Sequence, residues 1–426
     1  MLYMTRTIFV AVFLTVLSVE SVVTAQDKPQ VLQPNHPVTF SLKPNEERLF
    51  SIPMKAGNFA GFEWLAGENE INLQVYDSAK KTILNFKANS YDEFSIFDAI
   101  SDETYFVAPN DDTFTLSVRR SSTSPSGDTQ KFSIEYNNKF KLPIGTKQKA
   151  IRRINGYDIK ILSTPEKKDI GGESIIVMEK NGRLYKVMKN GSGERAGFYF
   201  PDDLTEPFNA ESKREATLIR NTLDKTGDGI PDVMIGYYSG GNACCSEAYF
   251  FNLGETVDLV SRIGTAYSRI VAKAKNPNGG LIFEVTDTSY YYWNAGYNSP
   301  CPQVILTFKN GRLRPDFDLM KRLPPSLGEL RKKAQIARGQ LSPEPYEGDA
   351  NGSNIYKDEV QTNSPKDFFW SEILDLIYAG NEELAWQFLD LAWPSEKQGK
   401  MLFKNDLKKK IADSFFWKMI EVDRKK

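Results

Sequence analysis

Residues 173–189 read ESIIVMEKNGRLYKVMK, two apolar segments joined at Asn181 and Gly182. An Asn-Gly pair favours the tight turn of a β-hairpin, because both residues tolerate the positive φ angles that the turn needs. The flanking segments are short and strand-like, with β-branched and aromatic residues. The stretch therefore predicts an antiparallel hairpin, and its KNGRL sequence returns at residues 309–313.

Further strand-like segments surround this hairpin between residues 150 and 322. They read YDIKILST, EATLIRNTL, DVMIGYYS, EAYFFNLG, GLIFEVTDTSYYYW and PQVILTFKNGRLRP. We therefore expect an antiparallel β domain at residues 150–322. The two KNGRL copies indicate two short repeats at most, whereas a complete propeller needs more blades. The sequence leaves open whether this domain is a partial propeller or a sandwich.

An earlier region, residues 38–142, also alternates apolar runs with turn residues. Within INLQVYD and FTLSV, every second residue is apolar and shares one strand face: Ile71, Leu73 and Val75; Phe114, Leu116 and Val118. Turn signals about every ten residues predict an antiparallel β-sandwich.

This region resembles the bacterial pre-peptidase C-terminal type of domain, a jelly-roll-like β-sandwich of exported proteins. The matching stretches are FSLKPNEERLFSIPMKAG, INLQVYDSAKKTI and ETYFVAPNDDTFTLSVRR. The resemblance implies an accessory module that binds a ligand or assists folding and export, with no catalytic residues to transfer.

The first residues have the features of a secretory signal. Arg6 precedes the apolar run TIFVAVFLTVLSV. The small residues Val23 and Ala25 occupy the minus-three and minus-one positions of the expected cleavage site before Gln26. We expect a signal peptide at residues 1–25 and an extended leader at 26–37. A retained anchor is the alternative, but the apolar core is short for a bilayer span. The mature protein should be secreted or periplasmic, without a membrane span.

The overall composition excludes several functions. The chain of 426 residues has 54 basic and 55 acidic residues and no basic block, which argues against a nucleic-acid partner. Its one histidine, His36, leaves little room for a Ser-His-Asp triad or a multi-histidine zinc site. Chemistry that uses carboxylates, lysine or tyrosine stays open.

Three cysteines give an odd count in an exported chain. We expect a disulfide between Cys301 and either Cys244 or Cys245. A bridge between the two adjacent cysteines and three unpaired thiols are the alternatives, because sequence does not fix the geometry.

The C-terminal region changes to a helical period. We expect a partly helical linker at residues 323–365 and a helical tail at 366–426, with Gly380 as a C-terminal cap. Two apolar stripes at helical spacing define the first two helices of the tail: Phe369, Ile373, Leu376 and Ile377; Leu384, Phe388 and Leu391. A third helix is predicted over MLFKNDLKKKIADSFFWKMIEV.

An acidic loop at residues 224–232 has the spacing of a cation site. Oxygen-bearing side chains stand at positions 1, 3, 5 and 9, a backbone carbonyl at position 7, and a glycine at position 6 permits the bend. In that order the candidate calcium ligands are Asp224, Thr226, Asp228, Asp232 and the Ile230 carbonyl. Threonine at position 3 and isoleucine at position 12 predict weak affinity. A metal-free polar hairpin is the alternative.

With its strand-like flanks REATLIRNTL and DVMIGYY, the loop resembles the calcium loops of FG-GAP and VCBS-type repeats in extracellular β-propellers. The resemblance covers residues 215–255 and implies that the same five residues bind a structural calcium ion. The following SGG-x-x-CC pattern resembles that of exported bacterial proteins.

Aromatic residues cluster near the cysteines, in YYSGG and TDTSYYYWNAG. We identify Tyr238, Tyr291 and Trp293 as candidates for a ligand platform, because aromatic faces bind sugars or peptides by stacking. Since successive strand residues point to opposite faces, about half of the cluster should belong to the core.

These features predict a non-enzymatic exported binding or scaffold protein whose partner is an extracellular or periplasmic protein or a glycan. The alternative is a carboxylate-dependent hydrolase acting on glycans or other extracellular polymers. Its candidate acid-base pair would come from Asp202, Asp203, Glu284 and Asp287. A subunit of a surface assembly is a third hypothesis.

Overall fold

The computed structural model describes most of the chain after the predicted signal peptide. The described residues are 29–65, 71–87, 105–120, 130–165, 172–190, 197–203, 210–239, 246–266, 268–291, 293, 301–348 and 369–424. Cys244, Cys245 and residues 349–365 of the predicted linker lie outside them.

A two-sheet β-sandwich forms the N-terminal domain, as predicted. In spatial order, the first sheet contains β1 (Gln30–Val31), β3 (Glu47–Met54), β8 (Asp112–Arg120), β5 (Ile71–Tyr76) and β6 (Thr82–Lys87). The second contains β2 (Val38–Leu42), β9 (Gln130–Asn137), β4 (Phe59–Leu65) and β7 (Tyr105–Val107). Neighbouring strands are antiparallel, except that β1 runs parallel to β3.

The predicted alternation places its apolar residues in the sandwich core. Phe114, Leu116 and Val118 of β8 are at most 2% exposed, as are Leu73 and Val75 of the neighbouring β5. These residues pack in one apolar cluster between the two sheets. The inward faces of β5 and β8 were therefore readable from the sequence.

The leader contributes to this core. Residues 26–37 were predicted as a segment outside the sandwich, but β1 within it pairs with β3. Leu32 is 2% exposed in the sandwich core, and the Asn35 amide donates to the Tyr136 carbonyl at 2.7 Å. The folded domain thus begins before the predicted boundary at residue 38, because backbone hydrogen bonds and the burial of Leu32 together bind the leader to the sheets.

The second β domain consists of three successive four-stranded antiparallel meanders. Meander 1 contains β10 (Lys147–Ile154), β11 (Tyr157–Ser163), β12 (Ser174–Lys180) and β13 (Arg183–Asn190). Meander 2 contains β14 (Gly197–Tyr199), β15 (Asp232–Tyr238), β16 (Ser246–Leu253) and β17 (Val257–Ala266). Meander 3 contains β18 (Val271–Lys275), β19 (Leu281–Thr286), β20 (Gln303–Lys309) and β21 (Arg312–Pro315).

The meanders form a stack joined by apolar clusters. Meander 1 shares one cluster with the sandwich, through residues such as Phe59 and Val177, and a second cluster with meander 2, through Ile161 and Phe251. Meander 2 packs against meander 3, where the Phe250 and Phe283 rings meet edge to face at 5.2 Å.

Both KNGRL sequences form the predicted hairpin turns. Asn181 and Gly182 have φ angles of 53° and 76°, and Asn310 and Gly311 have φ angles of 53° and 72°. The turns join β12 to β13 and β20 to β21, the outer strand pairs of meanders 1 and 3. Positive φ at both central residues is the geometry that the Asn-Gly pair favours.

The segment EATLIRNTL, predicted as a strand, is instead helical. It belongs to α1 (Ala210–Asn221), between β14 and β15. The buried residues Ser212, Glu215 and Ile219, with Thr222 just beyond the helix, recur every three or four positions, which is a helical period. Three of these four are polar, so the apolar pattern did not reveal the helix.

The helical region covers the free face of meander 3. It comprises α2 (Phe317–Met320), α3 (Leu327–Gln340), α4 (Phe369–Tyr378), α5 (Glu382–Ala392), α6 (Lys400–Asp413) and α7 (Phe415–Arg424). Its buried residues share one cluster with those of meander 3. None of the helices in the described part of the chain combines the length and the apolar composition needed to cross a bilayer.

Capping residues determine where the tail helices begin and end. Gly380 has a φ of 83°, and its amide donates to the Ile377 carbonyl, so it ends α4 as predicted. The predicted third helix is two helices. Ser414 interrupts it with an extended conformation, and its hydroxyl accepts from the Trp417 amide, which caps α7.

Candidate functional site

The acidic loop connects α1 to β15 and is held by its own carboxylates. The Asp224 carboxylate accepts from the amides of Gly227 at 2.6 Å, Asp228 at 3.2 Å and Gly229 at 2.8 Å. Thr226, at position 3, is 7% exposed and its hydroxyl lies 3.4 Å from an Asp224 oxygen. Three of the predicted ligand residues are therefore adjacent in the folded loop.

Asp232, at position 9, is the most buried of the loop carboxylates, with no exposed surface. Its Oδ2 accepts from the amides of Lys225 at 2.7 Å and Thr226 at 2.8 Å. Its Oδ1 makes no hydrogen bond with any described residue. Burial raises the pKa of Asp232 to about 6, in spite of hydrogen bonds from the Thr226 and Lys225 amides and from the Thr226 side chain.

Asp228, at position 5, links the loop to β16. Its Oδ1 accepts from the Ile230 amide at 2.8 Å, and its Oδ2 accepts from the Asn252 side-chain amide at 2.5 Å. The Asn252 Oδ1 is buried and has no hydrogen-bond partner among the described residues. Sequence reasoning missed Asn252, because it lies on a different strand from the motif.

A buried lysine occupies position 2 of the loop. Lys225 is 4% exposed, and its Nζ donates to the carbonyls of Thr222 at 2.8 Å and Asp232 at 2.9 Å. Burial lowers the pKa of Lys225, while the nearby carboxylates of Asp232, Asp202 and Asp224 act in the opposite direction. This residue was also absent from the predicted site.

Two glycines let meander 3 approach the loop. Gly227 has a φ of 86°, and a Cβ placed on it would lie 2.7 Å from the Gly279 carbonyl carbon. A Cβ on Gly280 would lie 2.6 Å from the Lys225 oxygen, which also accepts from the Leu281 amide at 2.9 Å. The loop is thus in backbone contact with the turn between β18 and β19.

The oxygen atoms of the five predicted ligands are chemically suited to a hard cation. In the structure, however, they are not directed to one common position. All five predicted ligands offer oxygen atoms, and Asp232 Oδ1 is a buried acceptor that lacks a donor. Among the residues that the structure describes, no three of His, Cys, Asp and Glu are arranged to hold a metal ion. Asp224 and Asp228 instead direct oxygens to backbone and side-chain amides.

The aromatic candidates occupy different environments. Tyr238 at the end of β15 and Tyr291 after the 3₁₀ turn Thr288–Tyr290 are half-buried. Trp293 is 2% exposed and packs against Trp370 and Phe403, with ring centroids 5.4 and 5.7 Å away. Trp293 therefore belongs to the core beneath the helices and does not line an open surface.

Cys301 precedes β20 and is half-buried against the core shared by meander 3 and the helices. Burial raises the pKa of its thiol to about 12. Its predicted partners, Cys244 and Cys245, fall outside the described residues, so the disulfide stays a prediction.

Two of the candidate hydrolytic carboxylates follow β14 and are paired with arginines. Asp202 lies 3.5 Å from Arg152 and 3.5 Å from Arg220, and Asp203 also pairs with Arg152. These contacts join the loop after β14 to meander 1 and to α1.

The other two carboxylates are on or after β19. Glu284 pairs with Lys273 at 3.2 Å. Asp287 is 1% exposed and accepts hydrogen bonds from the hydroxyls of Tyr378 at 2.6 Å and Ser414 at 2.5 Å. Asp287 therefore connects meander 3 to the helical tail, a role that the sequence did not indicate.

Comparisons with known proteins give no family for the chain. No protein-family model matches it, and no curated protein matches it. The solved structures that match include PliG of Salmonella Typhimurium, a periplasmic inhibitor of g-type lysozyme. The match has 12% sequence identity and a TM-score of 0.20, and it covers 26% of this chain and 98% of that chain.

PliG of Aeromonas hydrophila has 9% identity over 26% of this chain and 100% of that chain, with a TM-score of 0.18. A mutant of the Escherichia coli PliG has the same identity and coverage and a TM-score of 0.20. At these values the matches carry no argument about this chain.

Proposed function

We propose that this protein is an exported, non-enzymatic binding or scaffold protein in which a calcium ion stabilises the loop at residues 224–232. The observation that carries the calcium proposal is the Asp232 carboxylate, which is fully buried and has one oxygen without a donor in the described structure. Burying a carboxylate oxygen that has no donor is costly, and a bound cation would remove that cost.

The proposed ligands are Asp224, Thr226, Asp228 and Asp232 through side chains and Ile230 through its carbonyl. We propose Asn252 as a sixth ligand through its side-chain oxygen, because its amide nitrogen donates to Asp228 and its buried Oδ1 has no hydrogen-bond partner in the described structure. Calcium accepts six to eight oxygen ligands, so this number suffices with water. Threonine is a neutral ligand, so we expect affinity in the range of extracellular modules, about 10⁻⁴ to 10⁻³ M.

The role proposed for calcium is structural. The loop touches meander 3 through Gly227 and Gly279 and continues directly into β15 of meander 2. Ordering the loop would therefore strengthen the contact between two meanders. The signal-like sequence at residues 1–25 supports a compartment in which such weak calcium sites are used.

Thermal melting of residues 26–426 with excess calcium and with chelator tests the metal. We expect calcium to raise the melting temperature of the wild type by several degrees. The variants Asp228→Ala and Asp232→Asn should not show this increase. Asp158→Asn is the matched control, since Asp158 pairs with Arg153 on the surface of meander 1. An equal response to magnesium, or no response in the wild type, would contradict the proposal.

A further inference from the structure

A β-turn with an exposed apolar tip lies between the sandwich and meander 1, at residues 143–146. Ile144, at its second position, is 99% exposed, the largest exposed fraction among the large apolar side chains of the described structure. Leu142, which precedes the turn, is 45% exposed. Neither residue belongs to an apolar cluster of the described residues, so the tip is not the edge of a core.

Hydrogen bonds and packing fix the shape of this turn. The Thr146 amide and hydroxyl both donate to the Pro143 carbonyl, at 3.1 and 2.6 Å. Gly145 has a φ of 85° at the third turn position, where turns with a positive φ favour glycine. A Cβ placed on Gly145 would lie 2.8 Å from Cγ of Pro165, so Pro165 packs against the turn. The tip is therefore presented in one conformation, which lowers the entropy lost on binding.

The arm before the turn is anchored in the protein interior. The half-buried Phe140 packs against the apolar cluster shared by the sandwich and meander 1, and its ring lies 5.5 Å from that of Phe59. The arm after the turn is β10, which pairs with β11. Two fixed arms thus hold Ile144 at the protein surface.

Exposed lysines flank the apolar tip on both arms. Lys139 and Lys141 precede the turn, and Lys147 and Lys149 follow it. None of the four forms an ion pair with a described residue. Residues 136–157 contain no aspartate or glutamate. The apolar tip is therefore flanked by positive charge alone within its own segment.

The acidic residues around this segment do not balance its lysines. Asp158, the acidic residue of β11, pairs with Arg153 at 2.8 Å, at the other end of β10. Glu135 is half-buried on β9, and Glu173 is exposed just before β12, which is separated from β10 by β11. Residues 166–169, with the sequence EKKD, lie outside the described residues and carry no net charge. The four lysines thus outnumber these two carboxylates, and an anionic partner is favoured.

Protection of a sheet edge explains only part of this arrangement. β10 is an edge strand of meander 1, and lysines on edge strands hinder pairing with other chains. That role suits Lys147 and Lys149. It does not explain Leu142 and Ile144, because exposed apolar side chains favour association.

We propose that this turn binds an anionic lipid bilayer, with Leu142 and Ile144 inserted at the boundary between headgroups and acyl chains. A bilayer has an apolar layer beneath a charged surface, and apolar burial adds to the attraction between cations and anionic lipids. The turn has the matching order. Its apolar side chains are at the tip, and Lys141 and Lys147 are three residues from Ile144, within about 10 Å along an extended chain. Flexible lysine side chains can reach the lipid phosphates from there.

This inference goes beyond the proposed calcium site and does not depend on it. Residues 139–149 contribute no predicted ligand to the acidic loop at residues 224–232. Lipid binding should therefore persist in chelator. Loss of the calcium-dependent rise in melting temperature would leave this inference intact, and loss of lipid binding would leave the calcium site intact.

Co-sedimentation of residues 26–426 with lipid vesicles in chelator tests the inference. We expect binding to phosphatidylcholine vesicles that contain about one third phosphatidylglycerol, and binding about tenfold weaker or less to phosphatidylcholine alone. Ile144→Asn should bind the anionic vesicles about tenfold more weakly than the wild type, and so should the double variant Lys141→Gln, Lys147→Gln. Unchanged melting temperatures would show that these variants fold.

Matched control variants come from the region of α2 and α3. Leu323 is 93% exposed between these helices, and Arg331 and Lys332 are exposed on α3. Leu323→Asn and the double variant Arg331→Gln, Lys332→Gln should bind the anionic vesicles like the wild type. Losses in these controls equal to those in the turn variants would overturn the inference, because binding would then depend on the overall charge and apolarity of the surface.

Insertion of the tip distinguishes a lipid partner from an acidic protein or polysaccharide. Ile144→Trp keeps an apolar side chain at the tip, so this variant should bind the anionic vesicles. Its additional tryptophan fluorescence, relative to the wild type, should be quenched by lipids with brominated acyl chains. Absence of this quenching would overturn the inference. So would vesicle binding by Ile144→Asn equal to that of the wild type, since the turn would then recognise charge alone.

Discussion

Tyr378 of α4 donates its hydroxyl to the Asp287 carboxylate at 2.6 Å, across 91 positions of the sequence. The same carboxylate accepts from Ser414 at the start of α7 and from the Ser289 amide at 3.0 Å. Asp287 is 1% exposed, and its carboxylate accepts from these three donors in the described structure. This buried carboxylate therefore fixes the position of two tail helices on meander 3.

We predict that Tyr378→Phe lowers the free energy of unfolding by about 1–3 kcal/mol, because the buried Asp287 carboxylate loses one of its donors. Urea denaturation followed by tryptophan fluorescence measures the change. Tyr346→Phe is the control, since Tyr346 donates to the half-buried Asp406, which water can reach. Equal losses in the two variants would contradict a special role for Asp287.

Asp232 should make stability depend on pH when calcium is absent. Its pKa is about 6 in the folded protein against 3.8 for an ordinary aspartate. The folded state therefore holds the proton more tightly, so the free energy of unfolding should fall as pH rises from about 4 to above 6. Asp232→Asn should remove this component and be at least as stable as the wild type at pH 7 in chelator.

Urea denaturation in chelator between pH 4 and pH 8 measures this dependence as the difference between the wild type and Asp232→Asn. The amide of the variant can still accept from Lys225 and Thr226 through its oxygen. A difference that does not change with pH would mean that Asp232 is already satisfied without a cation.

Gly227→Ala should destabilise the protein more than Gly229→Ala. Both glycines have positive φ angles, 86° and 88°, so both variants carry backbone strain of about 1 kcal/mol. Only at Gly227 would the new methyl group lie 2.7 Å from Gly279, whereas nothing lies within 4 Å of it at Gly229. Thermal melting in chelator compares the two, and equal losses would mean that the turn after β18 can move away.

Trp293→Ala should cost about 3–5 kcal/mol, because Trp293 packs in the core against Trp370 and Phe403. Tyr291→Ala, at a half-buried position, should cost much less. Urea denaturation of both variants checks this order. A small loss for Trp293→Ala would restore the surface platform that the sequence suggested.

The features that could be predicted are those that short-range patterns determine. Asn181–Gly182 specifies a turn by its own φ preferences, and the alternation in β8 specifies which face is buried. The acidic loop was located by spacing alone. Its neighbours Lys225 and Asn252 were missed, since neither occupies a ligand position of the motif.

The features that could not be predicted depend on distant contacts or on polar burial. The bond between Ser414 and Asp287 spans 127 positions, so no local pattern records it. In α1, the buried Glu215 pairs with Arg269 at 2.7 Å, and a helix that buries charged residues has no apolar stripe to detect. The assignment of Trp293 to the core likewise required the position of the tail.

Because each unit shares an apolar cluster with the next unit along the chain, the sandwich, the three meanders and the helical tail form a continuous array in the described structure. In such an array, the total stability is approximately the sum of the stabilities of the units and of the interfaces between neighbouring units. The helical tail terminates the array by covering the face on which another meander would otherwise stack. Addition of a further meander to that face is thereby blocked.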